Sequence, residues 1–262
     1  MDSRLNPNRP GVEGKPARLV LAATNVQKAP RRDAMRMTQA LMGEVVRVFE
    51  TQEGWAYVQL AADGYVGYVE EEALGPVGTT STHWLSVPSS FTYPAADLKM
   101  SPVAEIFLGA HISITTVEGS YARTKEGRFL PMSHVKKIGE YLSDPASIAA
   151  QFLHAPYLWG GKTARGLDCS GLIQLALNAC GINALRDTDM QEASLGRAVE
   201  KGEPLCRNDL VFWKGHVGIL SGPESLIHAN GTHMQVVEEP LAEAIGRIAA
   251  AGSEVTSIRR LQ

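Results

Sequence analysis

The chain has 262 residues, with 25 Lys and Arg against 28 Asp and Glu for a net charge of −3, and 44% hydrophobic content. That length holds two or three compact units, the composition excludes a disordered chain, and with no basic block and no bilayer-length apolar run, nucleic acid and membrane are not expected partners. Three cysteines make no disulfide framework, and residues 1–10 lack the apolar core of a secretion signal, so a reducing cytoplasm is the expected setting.

Residues 1–16 hold three prolines, two glycines and little that is apolar, which reads as an extended arm. From 17 to 77 the pattern is short strands: Arg18–Ala22, Glu44–Glu50, Trp55–Leu60 and Tyr65–Val69, separated by Glu-Gly and Asp-Gly turn signals. Met35–Leu41 reads as the start of a helical turn that Gly43 stops. Strands this short and this close together predict a small barrel. A second all-β block, 78–140, has candidate strands at 104–108, 111–115, 121–124 and 127–130. It repeats the rhythm of the first: strand, Glu-Gly turn, aromatic strand, glycine turn.

The region 141–262 is different. Asp144–Leu153 reads as a helix with Pro145 at its first position. A glycine-punctuated loop follows, then Leu172, Ile173, Leu175, Ala176 and Ala179 at helical spacing, with Gly181 where a left-handed C-cap belongs. Asp189 is a candidate N-cap for a later helix. Beyond it the chain reads as strands: 208–213, 215–220, 226–230 and 234–237. Helix first and strands after predict an α+β domain.

Cys169 falls at the first turn of the predicted helix, where unpaired N–H groups and the macrodipole favour an anion, so an easily ionised nucleophilic thiol is expected there. The competing reading is a small apolar residue at a helix start. A thiol nucleophile needs a base, and the base needs something to hold its ring. His83, His111, His134 and His154 read as surface or packing residues. His216 and His228 lie on paired strands, and a turn centred on Gly222 sets them directly opposite, with Cβ atoms ~4.5–5.5 Å apart. A one-residue slip would put them on opposite faces. His216 is therefore assigned as base and His228 as its partner, against two alternatives: strand histidines capping polar edges, or a zinc site with Cys169, which no CxxC or HExxH supports. Cys180 and Cys206 read as inert.

Tyr157-Leu-Trp-Gly-Gly, Leu167-Asp-Cys-Ser-Gly-Leu-Ile-Gln174, Arg186-Asp-Thr-Asp-Met-Gln191, Asp209-Leu-Val-Phe-Trp213, His216-Val-Gly-Ile and Ile227-His228-Ala together resemble the NlpC-type cell-wall cysteine peptidases. The resemblance covers about 144–262 and implies a papain-like catalytic domain, while 17–137 resembles the two bacterial SH3-like barrels that precede it in one subgroup. It implies a cysteine endopeptidase without cofactor or metal, cleaving γ-D-glutamyl–diamino acid bonds in murein peptides with a free N-terminal L-alanine. Cys169, His216 and His228 would form the triad. The Tyr157 hydroxyl would help hold the oxyanion, Asp168 and Ser170 the substrate's ammonium and peptide groups, and Trp159 would wall the cleft. Asn208 stands where the family commonly has glycine, and Asn tolerates the same left-handed angle. Tyr65, Tyr68 and Glu70 are candidates for the substrate amine, or else barrel core and a solvated glutamate. Two other functions stay open on sequence: a binding protein that has lost activity, and an amidase or acyltransferase using the same triad.

Overall fold

The computed structural model describes residues 2–261. They form two compact units that divide between Glu140 and Tyr141. Among the described residues no helix is long and apolar enough to cross a membrane.

The first unit is entirely strands, short 3-10 turns and loops. Strands β1 (Lys15–Leu19), β2 (Ala23–Gln27), β3 (Arg36–Leu41), β4 (Val45–Gln52), β5 (Trp55–Leu60), β6 (Val66–Glu70) and β7 (Leu74–Gly75) make one antiparallel sheet in the order β3-β2-β6-β5-β4-β1-β7. Alternation sets its inner face: Ala56, Val58 and Leu60 of β5 and Val69 of β6 point inward with Leu19, Val26 and Val46. The helical turn expected over Met35–Leu41 is strand β3. Thr38 and Ala40 are buried at period two while β2 pairs alongside, so sheet pairing overrides the helix-forming residues.

The rest of this unit comprises β8 (His83–Leu85), β9 (Ser89–Thr92), β10 (Ala104–Phe107), β11 (His111–Ile112), β12 (Ile114–Glu118), β13 (Tyr121–Thr124), β14 (Phe129–Pro131) and β15 (Val135–Lys137). They form three small sheets around Leu85, Ile106, Ile112, Ala122 and Leu130. Strands β8, β9 and β15 carry too few residues to show a period. The run expected at 111–115 is broken into two strands at Ser113.

The second unit puts helices on a six-stranded antiparallel sheet. Helix α1 (Pro145–Ala150) precedes the short β16 (Lys162–Thr163) and β17 (Gly166–Leu167) hairpin, then α2 (Cys169–Ala179) and α3 (Thr188–Ser194). The sheet is β18 (Arg197–Ala198), β19 (Leu210–Trp213), β20 (His216–Gly222), β21 (Ser225–Asn230), β22 (Gln235–Pro240) and β23 (Val255–Arg260), in the order β18-β23-β19-β20-β21-β22. Helix α2 lies against β20 and β21. Helix α4 (Leu241–Ala250) was not foreseen; it covers the face carrying Val211, Trp213, Leu220 and Leu226 with Leu241 and Ala244. Its apolar stripe, Leu241, Ala244, Ile245 and Ile248, has helical spacing.

Two backbone expectations resolve differently. Asn208 takes φ +72°, the left-handed angle expected of it, and its Oδ1 accepts the Ala146 N–H at 2.8 Å, tying the β19 approach to the start of α1. The N-cap of α3 is Asp187 rather than Asp189, which sits one turn-position inside the helix where a carboxylate still faces the positive end.

Candidate active site

Asp168 builds the site by capping α2. Its Oδ1 accepts the Gly171 N–H at 2.7 Å, and its Oδ2 accepts the Gly160 N–H at 2.9 Å and Arg186 Nη2 at 2.7 Å. Arg186 Nη1 donates to Ser170 Oγ at 2.7 Å, and Gln191 Nε2 donates to the Ser170 carbonyl at 2.9 Å. Arg186 is only 1% exposed. A Cβ at Gly171 would stand 2.3 Å from the Gly161 carbonyl, so the glycine is what lets the loop close onto the helix start. The side chains of Asp168 and Ser170 face inward to Arg186 and the backbone and lock the nucleophile's platform, and the substrate contacts that the resemblance implies for them are a further role.

Cys169 is 7% exposed. The Val217 amide donates to its sulfur, and Thr188 Oγ1 lies 3.9 Å away. The thiol therefore sits at the first turn of α2 and against the start of β20, one residue from His216. The expected easy ionisation is not found. Burial, then the neighbouring Asp168 carboxylate, pushes the thiol up to about 11, with the Val217 amide, Thr188 and Arg186 only partly offsetting them. The helix start that would favour an anion already holds one, in Asp168.

His216 Nε2 and His228 Nδ1 are 2.8 Å apart. The register differs from the expected one: β20 and β21 pair Ile219 with Ile227 and Leu220 with Leu226, and the ladder shifts between Leu220 and Gly222. Extended along the strands, this register puts His228 across from Gly218, so the rings meet diagonally. Parity is preserved, and with it the shared face. Trp213 packs on His216 with ring centroids 5.6 Å apart. Burial, then the charge each would face on His228 and Arg247, pulls His216 down to about 3, against a weaker upward pull from Glu239. His228, fully buried, falls to about 3 through burial, Arg247 and His233. The site thus rests as neutral thiol and neutral imidazoles. The facing nitrogens of the two histidines are spent on each other, and among the described residues no three His, Cys, Asp or Glu side chains group to hold an ion.

This has a consequence for stability. An unfolded histidine titrates near 6.5, so below that pH the unfolded chain binds protons that the folded site refuses. Stability is complete above the unfolded value and falls with pH across about 6.5 to 3, as the unfolded chain takes up protons that the buried pair refuses. Chemical unfolding at a series of pH values should show this fall, and a His216→Gln/His228→Gln double variant should flatten it.

Tyr157 is fixed by its N–H to the Met234 carbonyl at 2.9 Å and by a bridge to Leu167. Burial and the Cys169 charge raise its phenol to about 12, so it remains an O–H donor beside the sulfur. Trp159 is 63% exposed. Among the barrel candidates, Tyr65 is 1% exposed in the core, Tyr68 packs against Tyr57 with ring centroids 4.9 Å apart, and Glu70, its side chain 28% exposed, pairs with Arg32 at 2.6 Å. Thr188, Glu239 and Arg247 were not singled out from sequence, and only their packing identifies them.

A buried thiol at a helix start, an imidazole pair on adjoining strands and an antiparallel sheet against the helix define a papain-like cysteine peptidase. Residues 154–248 match the NlpC/P60 family and residues 26–74 match the bacterial dipeptidyl-peptidase Sh3 domain. The chain belongs to the NlpC/P60 family and carries an SH3 domain ahead of its peptidase domain. It is 29% identical over 239 residues to the gamma-D-glutamyl-L-lysine dipeptidyl-peptidase of Bacillus subtilis, covering 81% of this chain and 78% of that one. It is 31% identical over 110 residues to a protein of Haemophilus influenzae named probable endopeptidase, covering 38% of this chain and 67% of the relative. A crystal structure of an NlpC/P60 family protein from Bacillus cereus ATCC 10987 superposes with a TM-score of 0.81 at 21% identity, covering 94% of this chain and 99% of that one.

Proposed function

We propose that the chain is an endopeptidase that hydrolyses the γ-D-glutamyl–L-diamino acid bond of murein peptides bearing a free N-terminal L-alanine, in the recycling of cell-wall peptides. Cys169 Sγ attacks the γ-carbonyl carbon while His216 takes the thiol proton. The Tyr157 hydroxyl and the Cys169 N–H hold the oxyanion, and His216 returns the proton to the departing diamino acid nitrogen. Water then attacks the thioester, gives its proton to the same imidazole, and releases L-Ala-D-Glu with the thiol restored. Because thiol and imidazole both start neutral, the proton moves as substrate arrives and excludes solvent.

The observation that carries this reading is the Cys169–Val217 contact beside the His216–His228 pair, in a chain that also has a dipeptidyl-peptidase type SH3 domain. The relative named for γ-D-glutamyl-L-lysine cleavage supports the choice of bond. We read residues 78–140 as a second barrel of the SH3 type, and the cytoplasm as the compartment where free peptides of this kind are met. The barrels restrict the enzyme to free peptides on this reading.

The test compares L-Ala-γ-D-Glu-L-Lys and its diaminopimelate counterpart with their N-acetylated forms and with cross-linked peptidoglycan. L-Ala-D-Glu is expected from the free peptides, with kcat/KM falling about 100-fold or more on acetylation, the scale of a lost charge-assisted contact of about 3 kcal/mol. Equal rates on the intact polymer would overturn the reading, and transfer to an amine acceptor in place of hydrolysis would mark an acyltransferase.

A further inference from the structure

The imidazole pair does not end at His228. Its Nε2 lies 2.6 Å from Oε1 of Glu239, on β22 and two residues before α4, and the same carboxylate oxygen is gripped by Arg247 from the last turn of α4. In the β21–β22 register Glu239 stands across from Leu226 and His228 across from Val237, so the carboxylate reaches the ring diagonally on one face. The result is a continuous row from His216 through His228 and Glu239 to Arg247, largely withdrawn from solvent: His228 is fully buried, and the Glu239 side chain is 13% exposed.

We propose that Glu239, clamped by Arg247, is a positioning residue that sets the tautomer of both catalytic-site histidines and so leaves His216 Nδ1 unprotonated for the Cys169 proton. The proposal rests on the peptidase reading above and deepens it. A carboxylate paired with a guanidinium only accepts hydrogen bonds, so at 2.6 Å the His228 Nε2 must carry the hydrogen. In a neutral imidazole His228 Nδ1 is then a lone pair. Facing it at 2.8 Å, His216 Nε2 must be the donor, which leaves the lone pair of His216 on Nδ1.

One neighbour of His228 opposes this order, because the Asn230 amide turns a donor toward the ring. Asn230 Nδ2 approaches Nε2 at 3.0 Å, its amide oriented by the His233 N–H on Oδ1 at 2.8 Å, but the shorter carboxylate contact takes the ring hydrogen. Trp213 covers His216 and brings no charge. As His216 takes the thiol proton, Glu239 is the anion that steadies the new charge, while the Arg247 charge keeps the resting imidazoles neutral. Glu239 touches neither the sulfur nor a reacting atom; it acts through His228.

The test uses the full chain and the variants Glu239→Gln, Glu239→Asp and Arg247→Met. Long-range proton–nitrogen spectra of the imidazoles, recorded without substrate, should show His228 and His216 both as Nε2–H tautomers in the wild type. In Glu239→Gln the amide can donate to His228, which reverses the row. The expected result is a tautomer change at both rings and a fall in kcat of about 100-fold or more on the L-Ala-γ-D-Glu peptides, with KM within about twofold. Glu239→Asp, which keeps the acceptor, should recover activity relative to Gln. Arg247→Met should move the acid limb of the kcat profile toward higher pH, because it removes the charge that disfavours imidazolium.

A wild-type spectrum with His228 protonated on Nδ1, or a Glu239→Gln chain that keeps both tautomers and its kcat, would overturn the positioning role. A wild type that leaves every γ-glutamyl peptide intact would overturn only the proposed function, since the spectra decide the tautomers without turnover.

Discussion

Replacing Cys169 by alanine is expected to lower kcat/KM on L-Ala-γ-D-Glu-diamino acid peptides by about 10⁴-fold or more, with the fold intact. The size follows from removing the atom that forms the covalent intermediate, since the imidazole pair and oxyanion donors left behind have nothing to activate. The stability cost is small, about 1 kcal/mol, because only a sulfur is lost from a site 7% exposed. Cys169→Ser should be nearly as inactive. A hydroxyl is harder to deprotonate than a thiol, and His216, pulled down to about 3, is a weak resting base. Product release followed by chromatography checks both variants, and residual hydrolysis above about one part in 10³ in Cys169→Ala would end the assignment. Alkylation offers a second reading if it is done in the right background. Cys206 is exposed and Cys180 half-buried, so an alkylating agent meets them first, and Cys206→Ser is needed before the Cys169 rate means anything. With its thiol pushed up to about 11, Cys169 should react slowly at pH 7 and faster as pH rises.

That slow reaction marks a limit of what the sequence discloses. The helix start at Cys169 was legible because Leu172, Ile173, Leu175 and Ala176 repeat at 3.6 residues and Gly181, at φ +78°, ends the run. The effect of that start on the thiol was not legible. It depends on burial and on Asp168 occupying the same positive end, and both are properties of packing. The histidine pair shows the same division. Parity alone put His216 and His228 on one face, and parity survives a register shift of two, so the face was right while the partner across the strand was wrong. Glu239 and Arg247 lie 11 and 19 positions beyond His228, and only the β21–β22 ladder followed by α4 brings them to the ring. A helix at 241–250 was in principle readable from Leu241, Ala244, Ile245 and Ile248; the strand-rich run before it masked the change of period. In the first unit the paired hairpins of β4, β5 and β6 followed from alternation and turn residues, whereas β3 needed its neighbour to override helix-forming side chains.

Arg186→Met is expected to destabilise the 141–262 unit by about 3–5 kcal/mol, the range for removing one partner of a buried ion pair. Two alternatives set the scale. A surface pair would be worth about 1 kcal/mol or less, but Arg186 is 1% exposed and makes direct contacts to Asp168 Oδ2 and Ser170 Oγ, both at 2.7 Å, so solvent cannot replace it. Methionine fills most of the volume, which isolates the electrostatic loss from cavity formation. What remains is the Asp168 carboxylate, still accepting from Gly160 and Gly171 but no longer neutralised, against a nearly buried thiol that its charge already pushes up. The thermal transition of this unit should drop by about 10 °C or more. Asp168→Asn should cost a similar amount for the opposite reason: it keeps an N-cap oxygen but strands the guanidinium. The double variant Arg186→Met/Asp168→Asn should then be less destabilised than the sum of the two, because neither charge is left alone. Activity should separate the roles again. With the platform loosened, kcat falls in every variant, whereas a substrate-ammonium role for Asp168 would appear as a rise in KM confined to Asp168→Asn and absent from Arg186→Met. Equal KM values in the two single variants would fix Asp168 as the clamp that presents Cys169.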